Sequence, residues 1–476
     1  MKTLIWIRGK DLRTRDHAAL SQTQPGDIAV FVVDPYFFSP AKAQAMPHRI
    51  QFLLDSLHEL AAEIKQLGGT LWAVHGRATQ VIPELAAACK VDRVTALQWT
   101  EPFGRRRDQM VTQALNVPFE LLEGETLHPP GTMRTGGGKP YSVFTPFART
   151  LRPSLNIQTE HPLPKVAPDG AIPEQFVGQI PQLEDLGLQR NPSVLTGGES
   201  AAQLRLHHFV TGAAQHYAEQ RNRMDLAGTS RLSADLKFGV LSPKTVWLAV
   251  QGSVWDDQQK NTFLNELIWR EFNYSTLWDN PNILKEPFKA KWTHFPWTNT
   301  ASHWDAWRAG TTGYPIVDAA ARQLLATGFV HNRARMIAAS FLTKHLQVDY
   351  RWGEAHYLKW LTDGDWAQNN MGWQWAAGCG ADAQPWFRIF NPVLQGKKFD
   401  PDGSYVRRWV PELASVETRY IHAPWTSPSL SLEWAGVRLG ETYPTPIVDH
   451  ATAREGYLTK AKLHMSVDQP LGEAAK

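Results

Sequence analysis

A chain of 476 residues with 43% hydrophobic and 20% charged content has the length of two or three domains and too much apolar sequence for wholesale disorder. Its net charge of +3 excludes a general polyanion coat and leaves a local basic groove as the way to meet nucleic acid. Two cysteines, Cys89 and Cys379, exclude a disulfide framework and a four-cysteine zinc or iron–sulfur site, and read as buried thiols in a reducing compartment.

The apolar run Leu4–Ile7 is followed at once by Arg8, Lys10 and Arg13, the pattern of a short buried strand and not of a secretion signal. No stretch approaches the length of a membrane span, so a soluble cytoplasmic monomer is the expectation. Through residue 130, β-branched or aromatic runs at Leu4–Ile7, Ile28–Val33, Thr70–Val74, Val94–Leu97 and Phe119–Leu122 alternate with helical patterns. The clearest helix is Arg49–Leu67, where Phe52, Leu53, Leu57, Leu60, Ala61 and Ile64 recur at three- and four-residue spacing. Strand and helix in alternation predict an α/β domain over residues 1–130 with a parallel, Rossmann-like sheet. No G-x-G-x-x-G follows any of these strands, and Gly136-Gly137-Gly138-Lys139 fails the phosphate-loop pattern at Met133 and Pro140. It reads as a flexible loop.

Residues 131–200 read as a connector, because seven prolines between 151 and 200 oppose long helices and central strands. Residues 201–476 read as an all-α domain, with Leu264–Leu277, Ile316–Thr327, Arg333–Leu346 and Glu354–Leu361 as its best helices. Seventeen of the twenty tryptophans lie beyond residue 200, so the two parts of the chain are built for different work.

Three clusters in the helical part join polar groups to aromatics. Tyr217 and Arg221 precede Gly228-Thr229-Ser230-Arg231-Leu232-Ser233, a run suited either to capping a helix or to holding an anion at its start. In Asn265–Phe272, Glu266, Trp269 and Arg270 share one helical face among apolar neighbours, and a buried carboxylate there needs a partner or a purpose. Asp363-Gly364-Asp365 opens a third run, ending Asn369-Asn370-Met371-Gly372-Trp373-Gln374-Trp375. Its spacing is not that of a calcium loop, and no metal site is expected.

With the runs Thr312–Ala319, His331–Met336 and Phe387–Pro392, these six segments stand in one order over residues 217–392, and the chain resembles the photolyase and cryptochrome family of blue-light flavoproteins. The resemblance implies an α/β domain, a connector and an all-α domain holding FAD, in which excited reduced flavin passes an electron to a pyrimidine dimer flipped out of DNA. It implies that Tyr217 and Thr229, Ser230, Arg231, Leu232 and Ser233 hold the FAD phosphates, which favours the anion reading. Arg335 and Asp363 would pair beside the isoalloxazine, Gly364 and Asp365 would line ring and ribose, and Arg270 would add a polar contact. Asn369 would lie by flavin N5, where an amide favours the fully reduced state and repair over sensing.

For the lesion, the resemblance implies that Trp269 and Trp375 clamp the extruded bases and that Glu266 hydrogen-bonds the base edge and stabilises the radical anion. Asn332 and Met336 match the enzymes for cyclobutane dimers; the (6-4) branch carries histidine in place of this methionine. Arg221, Arg333 and Gln395, with Trp269 and Asn332, are the candidates for DNA contact. An electron relay from the surface would use Trp297, Tyr350 and Trp373. Tyr350 stands where tryptophan is usual, so photoreduction should be slower or rerouted through Trp352 or Trp366.

Two departures place the antenna chromophore in question. The family pattern Trp-Phe-Arg-x-Asp-Leu-Arg is here Trp6-Ile7-Arg8-Gly9-Lys10-Asp11-Leu12-Arg13, one residue longer, and the Asn-Glu pair of folate-binding members is missing from Glu101–Arg105. The expectation is a carbon–carbon lyase for cyclobutane pyrimidine dimers with FAD and an unidentified second chromophore. The alternative is a cryptochrome-type receptor without repair activity.

Overall fold

A computed structural model describes residues 1–157 and 159–467; Gln158 of the expected connector and the last nine residues of the expected helical domain lie outside the described residues. Strands β1 (Thr3–Ile7), β2 (Ile28–Val33), β3 (Leu71–His75), β4 (Arg93–Leu97) and β5 (Phe119–Leu122) form one sheet in the order β3-β2-β1-β4-β5. Every pairing is parallel, with Ile5 opposite Ala29 on one side and Thr95 on the other. β1 and β2 are buried along their whole length, as central strands covered on both faces must be. One face packs Leu4, Trp6, Val30, Val32, Val94 and Ala96 against Val81, Ile82 and Leu85.

Strand order reverses between β1 and β4, where sheets of this kind commonly bind nucleotides. Here the chain's own side chains pack beyond these strands. The Arg107 guanidinium lies between Trp6, at 4.6 Å, and Trp99, at 4.4 Å, while Arg8 Nη1 donates to both carboxylate oxygens of Asp108 at 2.7 and 2.9 Å.

The chain divides into two compact units. The first comprises Met1–Ala218, Thr229–Pro281 and Lys359–Ala367, so it holds the sheet together with the long helix Asp257–Asp279. That helix starts at Asp256, whose carboxylate accepts from Gln259 N at 2.9 Å. It buries Phe263, Leu264, Leu267, Ile268, Arg270, Glu271, Phe272 and Tyr274, and so carries charge into its own core.

The second unit comprises Glu219–Gly228, Asn282–Leu358 and the residues from Gln368 onward. Helix Pro315–Thr327 begins on proline and stops at Gly328 with φ 65°, as the sequence pattern requires. The expected single helix Arg333–Leu346 is in fact helix Asn332–Ser340 followed by a π turn, Phe341–His345. Leu346 N donates to Phe341 O, a five-residue step that hydrophobic spacing does not reveal. Helix Tyr350–Trp360 carries Gly353 against the Trp373 ring, where any Cβ would collide. Among the described residues, no helix is long and apolar enough to cross a membrane.

Candidate active site

In the first unit, Thr229–Ser233 leads into helix Ser233–Phe238, which has no side-chain cap. Its hydroxyls are therefore not consumed in capping, apart from Ser230 Oγ, which accepts from Leu232 N at 3.4 Å. Arg231 has φ 55°, the left-handed turn that lets successive N–H groups face one anion. Tyr217 is buried edge-on to Phe209 and Phe263.

Glu266 and Trp269 stand half-buried on helix Asp257–Asp279, with Arg270 buried beside them. Trp269 lies flat on Phe144, the ring centroids 3.7 Å apart and the planes 3° from parallel. Phe144 comes from helix Phe144–Ser154 inside the expected connector, where no motif marks it. The Arg270 guanidinium sits 4.6 Å over Tyr274 and 3.3 Å from Glu271 Oε1.

Asp363, Gly364 and Asp365 are all buried. Asp365 Oδ1 accepts from Ala367 N at 2.9 Å, and Oδ2 accepts from the Tyr274 hydroxyl at 2.7 Å and from Lys10 Nζ at 3.3 Å. Gly364 O accepts from Arg49 at 3.3 Å. Lys10 also pairs with Glu101 at 2.9 Å and with Glu125. Burial opposes the Lys10 charge, yet the carboxylates of Glu101, Glu125 and Asp365 hold its pKa well above the usual lysine value. Lys10, Glu101, Glu125 and Tyr274 escape a motif reading; the extra residue between Arg8 and Asp11 is the one signal that marks this loop.

In the second unit, Asn332 is exposed and Met336 half-buried one turn later, with Asn332 Nδ2 3.9 Å from Met336 Sδ. Arg333 donates to Asn222 Oδ1 at 2.6 Å and lies 4.4 Å over Phe399. Arg335 donates to Val330 O at 2.7 Å. His331, whose Nδ1 accepts from Arg333 N at 3.1 Å, has its pKa pushed down to about 4 by burial and by Arg333, Arg335 and Arg221. It stays neutral inside a cluster of three arginines. Gln395 is half-buried on helix Pro392–Phe399, which also supplies Phe399.

Asn369 Nδ2 donates to Glu354 O at 3.0 Å. Only the amide NH₂ can meet a carbonyl, so Oδ1 faces the other way as an acceptor. Trp373 is buried against Tyr357, at 5.1 Å, and Trp307, at 5.9 Å. Trp307 stacks on Trp304 at 5.6 Å, and Trp304 meets the partly exposed Trp352 at 5.6 Å. Trp375 and Trp297 are half-buried and Tyr350 is buried. Among the described residues, neither Trp297 nor Tyr350 makes ring contact with Trp373, and the continuous aromatic path from Trp373 ends at Trp352.

Residues 3–169 match the family described as DNA photolyase, and residues 263–463 match the FAD binding domain of DNA photolyase. A deoxyribodipyrimidine photo-lyase of Agrobacterium fabrum is 38% identical over 95% of this chain and 96% of its own. The chain belongs to the DNA photolyase family. Among solved structures, a bacterial class III photolyase from Agrobacterium tumefaciens superposes with TM-score 0.90 at 37% identity, covering 98% of both chains. A cryptochrome from Synechocystis superposes with TM-score 0.88 at 29% identity, covering 96% of this chain and 99% of its own. As in the family, an α/β region with a parallel sheet precedes an all-α FAD-binding domain. The residues of this photolyase-family chain fit the cofactor: an uncapped hydroxyl and N–H turn suits a diphosphate, and the Asn369 acceptor suits a protonated ring nitrogen.

Proposed function

We propose that the chain repairs cyclobutane pyrimidine dimers in DNA under light, as a carbon–carbon lyase. The observation that carries the reading is the Glu266–Trp269 face. An indole backed on one side by Phe144 offers its other side to a flat base, and a carboxyl one helical turn away reaches the base edge. Extruded bases are held in this way, by an aromatic wall and a hydrogen bond.

FAD supplies the light-excited electron when bound. Tyr217 and Thr229–Ser233 would hold its diphosphate, Arg270 and Asp363–Asp365 would contact its ring and ribose, Arg335 and Asn332 would add polar contacts, and Asn369 Oδ1 would accept a hydrogen bond from the protonated ring nitrogen. Glu266 holds a proton toward the dimer carbonyl, while Trp269 and Trp375 exclude water from the base faces, with Asn332 and Met336 beside the dimer. Arg221, Arg333 and Gln395 meet the phosphates, supported by the arginine cluster around His331. Trp373 serves photoreduction, fed mainly along Trp352, Trp304 and Trp307, with Trp297 and Tyr350 as the slower route. Residues 1–130 act as an antenna domain for a second chromophore, residues 131–200 as connector and residues 201–476 as the catalytic domain. The protein works as a cytoplasmic monomer on damaged DNA.

Illumination of the reduced, FAD-loaded protein with dimer-bearing DNA should restore thymine, and Glu266→Ala should lower the repair rate about fivefold, the worth of one hydrogen bond of about 1 kcal/mol. No repair at stoichiometric FAD would favour the receptor reading, which the likeness to the Synechocystis cryptochrome supports.

A further inference from the structure

The loop after β1 grips two segments of the proposed FAD site at once. Its side-chain contact is Lys10, which is 3% exposed, donates to Glu125 and Asp365 and is ion-paired with Glu101. Each end of this cage is itself fixed. Glu125 Oε2 accepts from Thr100 N at 2.7 Å and from Thr100 Oγ1 at 3.0 Å, and Asp365 is held by the Tyr274 hydroxyl and the Ala367 amide. A buried ammonium persists only in such a cage, and the cage carboxylates persist only around a cation.

The main chain of the same loop holds the helix that follows Thr229–Ser233. Gly239, with φ 60°, lies so close to the Lys10 carbonyl that a Cβ would collide with it. Leu12 N donates to Phe238 O at 3.3 Å, and Arg13 Nη1 donates to Gly239 O at 2.9 Å.

We propose that Lys10 is a positioning residue for FAD. Its ammonium fixes the carboxylate of Asp365, and its backbone sets the distance from the sheet to helix Ser233–Phe238. The role rests on the proposed placement of Thr229–Ser233 and Asp363–Asp365 against the cofactor.

The test reconstitutes apoprotein with FAD and measures the dissociation constant, the shape of the bound flavin's long-wavelength absorption band and the melting temperature of the apoprotein. Lys10→Met removes the ammonium and keeps the stem. Lys10→Met combined with Glu125→Gln also removes one stranded carboxylate and guards against simple misfolding. The double variant, which leaves the Glu101 and Asp365 carboxylates without their cation, should melt cooperatively but below the parent without FAD, and should bind FAD about tenfold or more weakly, with an altered band. Parental affinity and an unaltered band in that variant would overturn the role. Asp363→Ala serves as the reference for cofactor placement. If it binds FAD weakly while the double variant binds normally, the Lys10 role alone falls. If Asp363→Ala binds like the parent, the placement falls and the Lys10 role with it, whatever a repair assay reports.

Discussion

The two units solve the problem of a buried functional group in opposite ways. Around Asp365, the first unit buries ions: Lys10, Glu101, Glu125, Arg270 and Glu271 all lie at or below 9% exposure, and each charge is fixed by another. Around Trp373, the second unit buries rings: Tyr357, Trp307 and Trp304 touch in series, and their order comes from shape. Ion cages are stiff and fail when one partner is removed. Ring stacks lose contact area when trimmed and otherwise persist. On the proposed function, a chain that orients a cofactor and also conducts electrons to it gains from having both.

The harshest way to break the contrast is Asp365→Ala, which removes one of the three carboxylates around Lys10 and leaves the buried Tyr274 hydroxyl without its acceptor. It should cost about 3–5 kcal/mol of stability, read from urea unfolding, and a loss no larger than that of a trimmed ring would erase the distinction. Beside its rings the second unit also buries a carboxyl, Glu354. Burial pushes Glu354 up to about 7 from an ordinary 4.5, against the hydrogen bond from Asn370. The folded state therefore keeps a proton that the unfolded chain releases, so the stabilisation is full below pH 4.5 and is lost as pH rises through 7. About 3 kcal/mol should disappear across that window, and Glu354→Gln should flatten the decline in a pH series of melts.

A milder probe of the ion cage is Tyr274→Phe, which deletes one hydrogen bond to Asp365 and should cost about 1–3 kcal/mol by chemical denaturation. The smallest effects on stability belong to the relay. Trp304→Phe should slow photoreduction of oxidised flavin more than Tyr350→Phe does, while repair by pre-reduced enzyme stays at the parental rate. Equal slowing in transient absorption would return the conduit to Tyr350 and Trp297.

All five strands were legible from their alternation with helices, and the helices at 47–66 and 315–327 from spacing and end signals, because these are local properties of the chain. The π turn after Ser340 was not, since a five-residue step depends on neighbouring packing. Glu266, Trp269 and Arg270 were legible as one helical face. Phe144 was hidden, because its place on Trp269 joins residues 125 positions apart.

By itself, the sequence determined the family and the α/β and all-α composition, and it marked the residues proposed to bear the chemistry, since motif order and periodicity are written along the chain. Only the tertiary structure decided what holds those residues in place. Lys10 meets Asp365 across 355 positions, and which ring backs Trp269 or touches Trp373 follows from shape. Burial and pairing arise between distant segments, so no spacing in the chain records them.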